Sequence, residues 1–286
     1  MKTRFTGAAL AALAAGALLT ATGSAAEAAA PPVPVKQQQA KAVDFTAIVA
    51  LSNCSGSLVR GPKSADTDRA LVMTNGHCLE SGMPGPGQVI VDKASSRTFK
   101  LLNKSGSSTL GTLRATQVEY GTMTDTDVAI YKLDTTYAAI RSRYATEALK
   151  LSTAHPTAGN AISVVSGYWK RIYNCKIDGF VYRLREANWT WKDSIRYTPE
   201  CDTIGGTSGS PVIDQASGQV VGVNNTGNND GERCTLNNPC EVDEAGNVTV
   251  RHNINYGQQT YLLAQCLGAG NDVVLGGTCA LPRPRR

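Results

Sequence analysis

The sequence predicts an all-β protein built as two lobes. From Val43 onward, short runs rich in Val, Ile, Leu, Thr and Tyr recur at close intervals. Turn signals such as Arg60-Gly61-Pro62 and Pro84-Gly85-Pro86-Gly87 separate them. Long helical crossovers between the runs are missing, which argues against a parallel α/β sheet and for a barrel or sandwich. A length of 286 residues provides enough chain for one large unit or two smaller ones with real cores.

In chain order, residues 1–30 read as a secretory signal peptide. Lys2 and Arg4 make a basic start, Ala8–Leu19 is almost wholly apolar, and Ala28-Ala29-Ala30 closes it with small residues. The apolar run is too short to span a bilayer, and Ala26 and Ala30 are both plausible cleavage points. Residues 31–42, rich in Pro, Gln and Ala, read as a linker or short pro-segment. The first lobe is expected over 43–134, with strands at Phe45–Leu51, Ser57–Arg60, Ala70–Thr74, Gln88–Val91, Thr98–Leu102, Thr109–Glu119 and Asp127–Leu133. The second lobe is expected over 135–286. It opens on a polar connection with a helical turn near Tyr137–Tyr144. Strands follow at Ala161–Tyr168, Lys170–Leu184, Ser194–Tyr197, Pro211–Ile213, Gln219–Asn224 and Val248–Asn255, then a short closing helix over Gln258–Cys266. The basic tail Pro282–Arg286 reads as a frayed end.

Cysteine count and charge narrow the class. Cys54, Cys78, Cys175, Cys201, Cys234, Cys240, Cys266 and Cys279 are even in number and all follow the signal segment, which points to disulfides in an exported chain. Sequence alone does not choose the pairing, and bridges between sequence neighbours are the simplest arrangement. No Cys-x-x-Cys pair suggests a metal site, so no metal or cofactor is expected. The formal charge of +5 falls to +4 once Lys2, Arg4 and Glu27 leave with the signal. The basic residues are scattered, without a stripe interleaved with aromatics, so nucleic acid is not an expected partner. Nor is a membrane once the signal is gone; the expectation is a secreted monomer. The oxygen-rich stretch 224–247 lacks the spacing of a calcium loop and reads as a solvated hairpin. Trp169, Trp189 and Trp191 read as core residues, with substrate contact an alternative for the latter two.

Chemistry is carried by Gly205-Gly206-Thr207-Ser208-Gly209-Ser210-Pro211. Glycines let the backbone bend sharply around a serine and aim N–H groups at one point. A serine hydroxyl needs an adjacent base, and that base needs an orienting carboxylate. Of the three histidines, His77 ends an apolar strand beside Cys78, whereas His155 and His252 read as surface residues. Asp127 opens the run Val128-Ala129-Ile130, with Asp125 a competitor for the same role. The order His, Asp, Ser excludes an α/β-hydrolase, which would run Ser, Asp, His and show Gly-x-Ser-x-Gly.

Thr74-Asn75-Gly76-His77-Cys78, Asp127-Val128-Ala129-Ile130 and Gly206-Thr207-Ser208-Gly209-Ser210-Pro211 resemble the motifs of the chymotrypsin/trypsin-like serine peptidases, the last closest to the secreted bacterial glutamyl-endopeptidase-like branch. The resemblance spans about residues 43–267. It implies two antiparallel six-stranded Greek-key β-barrels with the site between them. It also implies Ser208 as nucleophile, His77 as general base, Asp127 as orienter, an oxyanion hole from the N–H groups of Gly206 and Ser208, and a Cys54–Cys78 bridge. Thr207 stands where the animal enzymes carry an Asp that pairs with a new N-terminus, so the oxyanion loop must be held otherwise, with Cys201 as one candidate. Asp202 occupies the position of an acidic pocket base, which implies cleavage after basic residues. Asn225-Thr226-Gly227 would form the pocket wall, in place of Ser-Trp-Gly. The resemblance implies a serine endopeptidase that cleaves protein or peptide substrates through an acyl-enzyme; the alternative is a catalytically silent relative that keeps the fold as a binding module.

Overall fold

The structure, a computed structural model, describes residues 42–285. The expected signal peptide and nearly all of the expected linker lie outside these residues. The described chain is nearly all β, and no helix in it is long and apolar enough to cross a membrane.

The first sheet holds β1 (Ile48–Ala50), β2 (Ser55–Arg60), β3 (Arg69–Thr74), β4 (Val89–Ala94), β5 (Thr98–Leu102), β6 (Thr109–Thr122) and β7 (Val128–Thr136). After the short helix α1 (Tyr137–Tyr144), β8 (Leu149–Lys150) adds to it in parallel beside β2. The second sheet holds β9 (Ala161–Ser166), β10 (Arg171–Glu186), β11 (Trp189–Tyr197), β12 (Pro211–Asp214), β13 (Val220–Gly227), β14 (Cys240–Val242), β15 (Val248–Val250) and β16 (Asn255–Gln259), followed by α2 (Tyr261–Cys266).

Each sheet closes on itself. β1, β5, β6, β7, β3 and β2 form an antiparallel ring sealed by the β1–β2 pairing. β11, β16, β13, β12, β9 and β10 form a second, sealed by β10–β11. Numbered within each ring, both run first, second, third, sixth, fifth, fourth and back to the first. The connectivity repeats although no repeat is visible in the sequence. Closure leaves no open edge in either ring.

The unbroken apolar runs follow from where the core sits. Along β7, Val128 and Ile130 join a cluster that includes Val165, Ile213 and Val223 of the second barrel. Ala129 and Tyr131 face the interior of the first barrel instead. β3 alternates likewise, with Leu71 and Met73 on the shared side and Ala70 and Val72 inside. Both faces of these strands are buried, so the usual apolar–polar alternation disappears. Ile162, Val164, Tyr173, Ile195 and Val212 fill the second barrel.

The four disulfides join sequence neighbours: Cys54–Cys78, Cys175–Cys201, Cys234–Cys240 and Cys266–Cys279. The two longer loops span 24 and 26 residues, for which loop-closure entropy implies about 3 kcal/mol each. Several elements differ from the sequence expectation: β8 and β14 are additional strands, and β11 begins at Trp189 rather than Ser194. The run Val248–Asn255 is not one strand, because a turn at Arg251–Ile254, with Asn253 at φ +63°, splits it into β15 and the start of β16. The closing helix begins at Tyr261, since Gln258 and Gln259 still pair with β13. The tail is not frayed from its start: Leu281 is buried and the Tyr120 hydroxyl donates to the Pro282 carbonyl at 3.0 Å, leaving Arg283, Pro284 and Arg285 exposed.

Candidate active site

Strand register brings His77 and Asp127 together. β3 and β7 pair antiparallel with Thr74 opposite Ala129, so the end of β3 and the start of β7 lie side by side. A single 3-10 turn, Gly76–Cys78, carries His77 off the end of β3. Gly76 is required there, because a Cβ would lie 2.1 Å from the Thr122 carbonyl oxygen. The Asn75 amide donates to the Asp127 carbonyl at 2.8 Å, and the Cys54–Cys78 bridge ties the turn to the residue before β2.

The Asp127 side chain is fully buried and holds the histidine at two points. Its Oδ1 accepts the His77 backbone N–H at 3.1 Å, and its Oδ2 lies 2.7 Å from His77 Nδ1. With Asp127 ionised, Nδ1 carries the proton and Nε2 is left as an acceptor. Burial pushes the imidazole toward neutrality, but the charge and hydrogen bond of Asp127, joined by the charge of Glu186, outweigh it and raise His77 above its usual 6.5. Asp125, the competing carboxylate, faces outward and binds Lys192 Nζ at 2.6 Å.

Ser208 arrives from the second barrel on the loop between β11 and β12, and this loop is bonded to the first barrel. The Ser55 N–H donates to the Ser208 carbonyl at 2.8 Å. Gly209 passes so close that a Cβ would lie 2.1 Å from the Ser55 carbonyl oxygen and from Thr74 Oγ1. Its φ of +81° would also strain any L-residue. The Ser208 hydroxyl donates to the Asn225 carbonyl at 3.3 Å. It shares one cleft with His77, the histidine that lines it among the described residues. His155 instead pairs with Asp193, Nε2 to Oδ2 at 3.0 Å, and His252 Nε2 lies 3.1 Å from the Asn229 carbonyl.

The stretch before Ser208 forms a tight turn. The Thr207 N–H donates to the Ile204 carbonyl at 3.0 Å, and Gly206 has φ +89°, the sign a type II turn demands at its third position. Thr207 cannot form the ion pair of the animal enzymes. Its hydroxyl donates to the Ile204 carbonyl and accepts from Asn224 Nδ2 at 3.2 Å. The indole of Trp169, 48% exposed and therefore not a core residue, donates to the Gly205 carbonyl at 2.7 Å. Ser55 Oγ donates to the Gly206 carbonyl at 3.1 Å. In a trans peptide the C=O and N–H point opposite ways, so anchoring the Gly205 carbonyl on one side turns the Gly206 N–H to the other. Cys175–Cys201 fixes the same loop further upstream.

Asn225, Thr226 and Gly227 line the cleft. Asp202 does not. Cys201 and Thr203, on either side of it, are buried, held by the disulfide and by a 2.9 Å bond from Thr203 Oγ1 to Asn255 Oδ1. The Thr203 N–H donates to the Cys201 carbonyl at 2.9 Å, a tight turn with Asp202 at its tip, and Asp202 is exposed. The acid in the cleft is Glu186, at the end of β10, and sequence reading missed it. Its place in the alternating run Tyr182–Glu186 resembles any strand-end acid; only the hairpin geometry turns it inward. Trp191 packs inside against Met123 and donates to its carbonyl at 3.1 Å, and Trp189 donates to the Pro84 carbonyl at 2.9 Å.

Two barrels and a His–Asp pair facing a serine loop describe a peptidase of the trypsin-like class. The chain belongs to the trypsin-like peptidase family, whose domain description matches residues 54–223. It is a serine endopeptidase by that membership. No curated protein matches it. Among solved structures it is similar to the MamO protease domain from Magnetospirillum magneticum, at 15% identity over 78% of this chain and 96% of that one, TM-score 0.48. It is also similar to a thermostable serine protease AL20 from an extremophilic microorganism, at 17% identity over 74% and 88%, TM-score 0.43. A Glu endopeptidase in complex with MPD matches at 17% identity over 77% and 89%, TM-score 0.44.

Proposed function

We propose that the chain is a secreted endopeptidase that hydrolyses peptide bonds through Ser208, His77 and Asp127. The observation that carries this reading is the hydrogen-bonded His77–Asp127 pair, 2.7 Å apart, opening on the cleft that holds Ser208. Rotation of the Ser208 hydroxyl from the Asn225 carbonyl toward His77 Nε2 sets up attack on the scissile carbonyl. His77 takes the proton as the tetrahedral intermediate forms, then gives it to the leaving amine as the C–N bond breaks, which releases the amine and leaves the acyl group on Ser208. Water repeats the sequence to free the acid product. Asp127 fixes the tautomer and stabilises the imidazolium. The N–H groups of Gly206 and Ser208 receive the developing oxyanion. Residues 1–30 serve as the export signal, and the disulfides suit an oxidising compartment.

Purified protein is expected to hydrolyse casein and to stop doing so after treatment with a sulfonyl fluoride. Intact casein in the presence of folded, N-terminally trimmed protein contradicts the reading. Material recovered from the culture medium is expected to begin after Ala26 or Ala30.

The raised His77 value sets the acid limb of activity. The ring accepts a proton from Ser208 only while neutral, so kcat/KM falls as pH drops through the free-enzyme value. That value lies above 6.5 because Asp127 and Glu186 favour the charged ring more than burial disfavours it. A pH profile whose acid limb lies below 6.5 contradicts this balance. The Trp169 bond predicts a second, smaller effect. Trp169→Phe frees the Gly205–Gly206 peptide to turn and is expected to lower kcat by about tenfold with KM little changed, because the hole matters in the transition state. A change confined to KM contradicts this role.

A further inference from the structure

The cleft holds a buried acid that the proposed triad does not use. Glu186 is 5% exposed. Its Oε2 accepts from the Thr226 hydroxyl at 2.6 Å and its Oε1 from the Asn237 N–H at 3.0 Å, both neutral donors. The comparably buried Glu119 has Lys132 Nζ 3.0 Å away as counter-ion. Burial pushes the Glu186 carboxyl up from its ordinary value, the mark of a carboxylate whose lost hydration is not made good. A charge in that state gains most from an incoming cation.

The surroundings point the same way. Asn224 Oδ1 and Asn225 Oδ1 are buried acceptors without a hydrogen-bond partner, Asn225 Nδ2 is a buried donor without one that a substrate carbonyl would meet, and both residues line the cleft. Met83, Met123, Trp191 and Leu236 line it as well and offer apolar surface. A ligand that satisfies this set has several donors and a positive charge at the end of an apolar stem. Lysine and arginine side chains have that form. Thr226, which anchors Glu186, belongs to the wall expected to hold the acyl side of the substrate.

We propose that Glu186 is a specificity-determining residue that receives a lysine or arginine side chain of the substrate on the acyl side of the scissile bond. The inference rests on the serine-peptidase reading above and moves the basic preference from Asp202 to a different element.

The test compares peptide libraries in which arginine or its neutral isostere citrulline is placed at each acyl-side position. At one position the wild type is expected to favour arginine by about tenfold to a hundredfold in kcat/KM, the range of a charge-assisted hydrogen bond. Glu186→Gln, which keeps size and an acceptor for Asn237, is expected to bring that ratio close to one. Glu186→Asp keeps the charge and is expected to retain part of the preference, which covers the case in which the glutamine variant does not fold. A wild-type ratio near one at every position, or a preference that survives Glu186→Gln in folded protein, overturns the proposal. Labelling of Ser208 by a fluorophosphonate is measured on the same samples. Its failure in the wild type overturns the peptidase reading, and this inference with it, while labelling without a charge preference overturns this inference alone.

Discussion

Ser208→Ala is expected to abolish peptide hydrolysis and leave the fold unchanged. The side chain contributes one 3.3 Å hydrogen bond, to the Asn225 carbonyl, whereas the loop is held by its backbone. Ser55 N–H to Ser208 O, Gly209 N–H to Asn224 O and Asn224 N–H to Ser210 O all persist in the alanine variant. Alanine also suits the same backbone conformation, so the melting temperature should stay close to that of the wild type. The loss in kcat should be roughly a millionfold where Ser and His act as a unit. The remaining rate reflects the oxyanion hole and substrate binding alone. Folded alanine variant that still cleaves peptides at the parent rate would remove Ser208 from the mechanism.

Asp127→Asn is expected to cost about ten-thousandfold in kcat, through the tautomer rather than through the fold. Asp127 accepts at both oxygens, from the His77 backbone N–H at 3.1 Å and from His77 Nδ1 at 2.7 Å. An asparagine oxygen can keep the first bond. Its NH2 then faces Nδ1 and favours the ring with the proton on Nε2. That ring has nothing with which to accept the Ser208 proton. The isosteric change leaves no cavity at this buried site, so stability should change much less than rate. Asp127→Ala tests the contrast. It opens a void and strands the His77 N–H, at a cost of about 1–3 kcal/mol in stability. Equal activity of Asp127→Asn and wild type would leave Asp127 as a strand-end residue only.

How much of this was legible in the sequence varied with the physics of each part. The strands were readable because β-branched runs and Gly/Pro turns are local signals. Their ends were less so: β6 continues past Glu119 to Thr122, and β13 past Asn224 to Gly227. There the polar residues Thr122 and Thr226 pair in the ladder while Asn225 sits at a bulge in the pairing of β13 with β16, which composition does not reveal. The His–Asp–Ser order was legible because catalysis restricts the residue types at each motif. Register explains the encounter afterwards, through Thr74 opposite Ala129. The acid that lines the cleft was not legible. Asp202 was suggested by its distance in sequence from Ser208, but its neighbours Cys201 and Thr203 are the ones that turn inward. Glu186 comes into the cleft from a hairpin in another part of the chain, a long-range placement without a local signature. Trp169 is similar: what distinguishes it is one bond to the Gly205 carbonyl, 36 residues away.

In the proposed mechanism Ser208 is an activated nucleophile. Treating the folded, N-terminally trimmed protein with a fluorophosphonate and locating the adduct by mass spectrometry tests it most directly, with His77→Ala as control. A single adduct on Ser208 that disappears in the control is the expected result. An unlabelled Ser208 in disulfide-intact protein, or labelling that persists without His77, would contradict it.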